Sequence, residues 1–124
     1  MQHLYRFIAT IGLILALGIP QGIAAQKSYG ALAFSPSRGV DGYSFNFKTQ
    51  SAAQRMALQQ CKARARDCRV VANFSRGCAA LAVGRQSGWG AGTGAGRAQA
   101  RSKAISACRK FASGRCVIQR SVCS

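Results

Sequence analysis

The chain has 124 residues, of which 18 are Lys or Arg and 2 are acidic, for a formal charge of +16. Its only histidine is His3, it has no glutamate, and Asp41 and Asp67 are its only carboxylates. That inventory leaves general acid–base chemistry without its usual groups, and a length of this order allows one domain.

The first 25 residues read as an export leader. Met1 to Arg6 is mildly basic, Phe7 to Leu17 is apolar, Gly18 and Pro20 break the helix, and Gly22-Ile23-Ala24-Ala25 offers small residues for cleavage after Ala24 or Ala25. The apolar run is too short before Pro20 for a membrane span, which takes about 20 residues. Removing the leader takes one cation and neither acid, so 17 cations face 2 acids, or +15. The expected compartment is the periplasm or the exterior, with a single disulfide-stapled domain over residues 26–124 made of two repeats, about 29–78 and 79–124.

Ala31-Leu32-Ala33-Phe34 reads as the first strand. Tyr43-Ser44-Phe45-Asn46-Phe47-Lys48 alternates aromatic with polar residues, the pattern of a half-buried strand with its aromatics in the core. Asp41, within Gly39-Val40-Asp41-Gly42, reads as a residue of the hairpin turn between them. Ser51-Ala52-Ala53-Gln54 matches a capping box at a helix start, and Ala53, Ala57 and Cys61 recur every four residues on one stripe. Arg69 to Phe74 follows as a strand. Asp67 lies among Arg64, Arg66 and Arg69, where a local salt bridge is expected.

The second half repeats this order. Ala80-Leu81-Ala82-Val83 matches the first strand, and Ala100, Ala104 and Cys108 match the helix stripe. Arg109-Lys110 suits the negative end of that helix's dipole, and Val117 to Val122 is the closing strand. The segment Trp89 to Gly96 diverges, because glycine alternates with small residues after one aromatic. It is expected to be loop-like, frayed or packed under another backbone. The glycine run ending in Arg97 satisfies neither the dinucleotide nor the P-loop spacing.

The six cysteines form two triplets, Cys61, Cys68, Cys78 and Cys108, Cys116, Cys123. In an oxidising compartment they read as a disulfide framework, and their spacings contain no close zinc-type pair, so no metal or cofactor is expected. Repeat equivalence favours Cys61–Cys68 and Cys108–Cys116 within the halves and Cys78–Cys123 joining them, among 15 formal connectivities. The predicted fold is α+β: duplicated ββαβ halves, with two helices on one side of an antiparallel sheet and three disulfides.

Several of these pieces resemble one family. Tyr29-Gly30-Ala31-Leu32-Ala33-Phe34-Ser35-Pro36, Gly42-Tyr43-Ser44, the Ala-x3-Ala-x3-Cys helix, Cys78-Ala79-Ala80-Leu81-Ala82-Val83 and the closing Cys-x6-Cys are similar to the exported bacterial domain of unknown function numbered 4189. The resemblance runs from Tyr29 to Cys123. It implies a small secreted or periplasmic domain and brings no catalytic residues with it. Relatives tend to carry acids where this chain has Gln54 and Gln99.

Function then rests on charge. Lys62, Arg64, Arg66 and Arg69 cluster around the first cysteine loop; Arg97, Arg101, Lys103, Arg109 and Lys110 lie on the second helix, with Arg115 in the second loop. If both loops share one side, they make a basic face for an anionic polymer, an anionic lipid surface or an acidic protein. Nucleic acid is one such polymer, without sequence preference. The expectation is a non-catalytic binding module, with an effector-, inhibitor- or immunity-type element docking an acidic partner as the alternative. A purely solubilising charge is the plain reading of the same residues.

Overall fold

The computed structural model describes residues 28–124, so the leader, residues 1–25, lies outside the described residues. The element order is β1 (Tyr29–Ser35), β2 (Val40–Phe47), α1 (Gln50–Lys62), β3 (Arg69–Ser75), β4 (Cys78–Arg85), β5 (Trp89–Gly94), α2 (Arg97–Arg109) and β6 (Ser113–Cys123). The α+β fold with duplicated ββαβ halves and three disulfides is therefore present. Each half builds its own antiparallel sheet, ordered β2-β1-β3 and β5-β4-β6.

Side-chain size along the two central strands decides how the layers stack. Leu32, Phe34, Leu81 and Val122 meet between the sheets in one apolar layer. The alternate residues Ala31 and Ala33 pack on Ala53, Ala57 and Cys61 of α1. Ala80 and Ala82 pack likewise on Ala100, Ala104 and Cys108 of α2. The sheets thus lie face to face with one helix on each outer side. Helices gathered on one side of a single sheet would leave the Leu/Phe faces uncovered, and that part of the expectation is corrected.

The glycines of β5 explain its divergence. A Cβ at Gly90 would come within 2.2 Å of the Cys108 nitrogen, and one at Gly92 within 2.5 Å of the Ala104 nitrogen. The strand is regular and lies directly beneath the backbone of α2, the last of the three expected outcomes. Gly42 does the same for α1, where a Cβ would fall 2.0 Å from the Ala57 carbonyl oxygen.

Three further expectations change. Thr49, not Ser51, caps α1: its hydroxyl accepts from the Ala52 amide at 3.1 Å, so the helix starts two residues before the capping pattern indicates. Within the alternating segment from Tyr43 to Phe47 the buried residue is Ser44, whose hydroxyl donates to the Ala53 carbonyl at 2.6 Å. Phe45 is exposed and stacks on half-buried Tyr43, because the middle of β2, where α1 comes closest, turns only Gly42 and Ser44 to the helix, while Val40 and Phe47 pack on the α1 layer at the strand's ends.

The bonds are Cys61–Cys68, Cys108–Cys116 and Cys78–Cys123. The last does not join the halves. Cys78 and Cys123 are direct partners on β4 and β6 of the second sheet, and the corresponding pair in the first sheet is Tyr29 and Ser75. Cys78 opens a half whereas Cys123 closes one, so the third members of the triplets are not equivalents.

Candidate anion-binding clefts

Asp41 lies on β2 rather than in the turn, with its carboxylate nearly buried. The Arg120 Nε donates to it at 2.7 Å and the Gln119 Nε2 at 3.0 Å, so it ties the first sheet to β6. This ion pair raises the Arg120 guanidinium above its ordinary value, chiefly through the hydrogen bond to Asp41. Asp67 makes no local salt bridge. Its carboxylate accepts from the Ser35 hydroxyl and, at 3.2 Å, from the Ser37 amide. These bonds, chiefly that from Ser35, hold its pKa below the usual value. Both acids are thus committed to the scaffold.

The cations of the two cysteine loops, Lys62, Arg64, Arg66 and Arg115, face solvent. The β1–β2 turn and the loop closed by Cys61–Cys68 enclose a cleft of about 460 Å³, lined by Arg38, Lys62, Arg64, Arg66 and Asp67. Gly39, with φ of 65°, lets that turn close through its amide onto the Ser35 carbonyl at 2.8 Å. Arg64 is oriented by a bond to the Asp41 carbonyl at 2.8 Å. Four cations against one carboxylate leave a surplus of three charges around the opening.

The second half has a counterpart of similar volume, about 470 Å³. The β4–β5 turn and the loop closed by Cys108–Cys116 form a cleft lined by Arg85, Ser113, Gly114 and Arg115. Contacts of Trp89, beside that turn, with Phe34 and Arg69 place both loops at one end of the sandwich. Ser28, Asn46 and Ser124 meet at the other.

The ten expected anion-binding residues therefore separate. Lys62, Arg64 and Arg66 share the first cleft, and Arg115 lines the second. Arg69 turns to the Trp89 ring, 5.4 Å from its centroid. Arg97 sits at the far end of α2, about 20 Å from its C-terminus, and donates to the Ser121 carbonyl and hydroxyl. Arg101 and Lys103 are exposed along α2, and Arg109 and Lys110 at its end. Arg38 and Arg85 escape the sequence reading. Each is the arginine of a hairpin turn in its repeat, Pro36-Ser37-Arg38-Gly39 and Arg85-Gln86-Ser87-Gly88, and comparing the two turns would have found both.

No group of three or more metal-ligating side chains occurs among the described residues, and no described helix is long and apolar enough to cross a membrane. The six cysteines all lie in disulfides.

Fold and framework together define a duplicated, disulfide-stapled αββα sandwich with basic loops at one end. A family model described as a domain of unknown function, DUF4189, matches residues 29–123, and the chain belongs to that family. No curated protein and no solved structure matches the chain.

Proposed function

We propose that the chain is an exported, non-catalytic binding module whose basic end contacts an anionic polymer or envelope surface. The observation that carries this is the first cleft, where Arg38, Lys62, Arg64 and Arg66 converge on an opening held by a turn and a disulfide loop. Clustered cations without acidic partners gain affinity for a polyanion by releasing its counterions. Of the two acids, Asp41 is paired outside the cleft, and Asp67 offsets only one of the four cations that line it. A catalytic role has no support from histidine, a free thiol or a carboxylate pair in the described structure.

The test is binding to duplex DNA, an acidic polysaccharide, anionic vesicles and neutral vesicles across a salt series. With about four charge contacts, affinity for DNA should fall on the order of a hundredfold between about 50 and 200 mM salt. Reversing Arg38, Lys62 and Arg66 to Glu should abolish binding to the preferred class, whereas Arg101→Glu with Lys103→Glu on α2 should leave most of it. Equal loss from both sets would make the charge merely solubilising. Saturable one-to-one capture of an acidic protein that survives moderate salt would favour the protein-docking alternative.

A further inference from the structure

The halves meet along two seams related by the internal repeat, and only one of them is closed. Gly42 and Gly90 fix the equivalence, since each lies under the same pair of helix atoms: Ala57 O and Cys61 N, or Ala104 O and Cys108 N. Asp41 therefore corresponds to Trp89. Arg64 corresponds to Phe111, because their amides donate to the carbonyls of Cys61 and Cys108 respectively. Val71 corresponds to Gln119, each skipped where the register shifts on β3 or β6.

At the first seam these positions make a polar lock. Gln119 and Arg120 donate to the Asp41 carboxylate, Arg64 donates to its carbonyl, and Arg120 lies 4.5 Å from the centroid of the Tyr43 ring. At the second seam the same positions hold Trp89, Phe111 and Val71, and no such lock forms. They line instead an open cleft of about 430 Å³, floored by Ala91 and Ala107 and edged by Arg69.

Phe111 is 75% exposed, and its backbone is held in place. Its amide donates to the Cys108 carbonyl at 3.0 Å, the Ala112 amide donates to the same oxygen at 2.9 Å, and the Cys108–Cys116 bond closes the loop. Arg69 stands over Trp89, and the chain's two carboxylates are already held, Asp41 by Arg120 and Asp67 by Ser35. The seam thus offers two rings, an apolar floor and a cation that neither acid neutralises.

We propose that this open seam binds an apolar or aromatic body joined to a single carboxylate. The body lies between Phe111 and Trp89, and the carboxylate pairs with the Arg69 guanidinium, whose planar fork suits two parallel hydrogen bonds. A volume of this size is near the lower end for small-ligand clefts, roughly 300–1,000 Å³, and admits one ring rather than a polymer. Two sources share this chemistry: the C-terminal residue of a polypeptide and a free small aromatic acid. The site uses none of the residues lining the basic cleft, so it stands or falls separately from the polyanion reading.

Trp89 is the chain's only tryptophan, so its fluorescence reports directly on this cleft. The oxidised protein would be titrated with an acetylated peptide ending in two glycines and a phenylalanine carboxylate, with the same peptide amidated, and with 3-phenylpropionate. A saturable emission change with at least one acid is expected, with the amide binding about tenfold more weakly. Arg69→Gln and Phe111→Ala, both at exposed positions, should each weaken it by a similar factor at unchanged melting temperature. Stronger binding of the peptide identifies a chain terminus as the source, and equal binding identifies the small acid; both uphold the site. Equal affinity for acid and amide, or no effect of Arg69→Gln, overturns the carboxylate assignment. No saturable change with either acid overturns the site, and a response only to phosphatidylglycerol vesicles reassigns the seam to a membrane.

Discussion

Replacing Asp41 with Ala tests whether the closed seam holds the halves together. The Asp41 side chain is 6% exposed and that of Arg120 36% exposed. Removing one partner of a fully buried pair costs about 3–5 kcal/mol. Water can reclaim part of the Arg120 guanidinium, which lowers the figure to about 2–3 kcal/mol, including the lost acceptor for Gln119. In a domain of this size that corresponds to a melting temperature lower by roughly 10–20 °C. The assay is denaturant unfolding with the disulfides intact, run as a cycle with Arg120→Ala. A coupling energy of about 1–2 kcal/mol is expected. A loss below about 0.5 kcal/mol, or strict additivity of the two substitutions, would refute the idea that this pair fastens one half to the other.

Gly90→Ala should destabilise by about 1–3 kcal/mol, since the added carbon meets only helix backbone, whereas Gly96→Ala, with open space around it, should be far milder; equal unfolding midpoints would contradict the close approach of α2. Because Asp67 titrates below the ordinary carboxylate range, the stability it contributes is complete above about pH 4 and is lost as pH falls through its lowered value. Carboxyl NMR titration should find that value rising towards normal in Ser35→Ala, and an unchanged midpoint would discount the Ser35 hydroxyl as its cause. Replacing Cys78 and Cys123 together by Ser opens a loop with a sequence separation of 45 and should cost up to about 4 kcal/mol. Hydrogen exchange should then quicken in β4 and β6 before β1 and β3, and uniform quickening would argue against confinement of this bond to one sheet.

The small-residue stripes were legible in the sequence because Ala53, Ala57 and Cys61 repeat at the helical period and recur as Ala100, Ala104 and Cys108. The layering was not. Ala31-Leu32-Ala33-Phe34 is buried on both faces, so polarity never alternates along it, and only the alternation of size distinguishes the helix side from the sheet side. Asp41 resembled a turn residue because its partners, Gln119 and Arg120, lie far away in sequence. The cysteine triplets misled at their third members, whose true counterparts are Tyr29 and Ser75, residues with no sulfur to mark the correspondence. At the basic end, composition located the loops, but whether a guanidinium lines the cleft, as Arg66 does, or lies on a ring, as Arg69 does, depends on tertiary neighbours.

The alanine and glycine surfaces between each helix and its sheet have a dynamic consequence. Alanine has no side-chain rotamers to lose and glycine no side chain at all, so little side-chain entropy is lost in bringing these layers together. For the same reason they have no rotamers to exchange once folded. Among the large, almost fully buried side chains, rotamer jumps are therefore concentrated in the central layer of Leu32, Phe34, Phe74 and Leu81, while Leu58 and Ile105 lie only at the margins of the helix–sheet layers. Each helix and its sheet should move as one stiff plate, and the internal freedom of the sandwich lies in how the two plates slide across that layer.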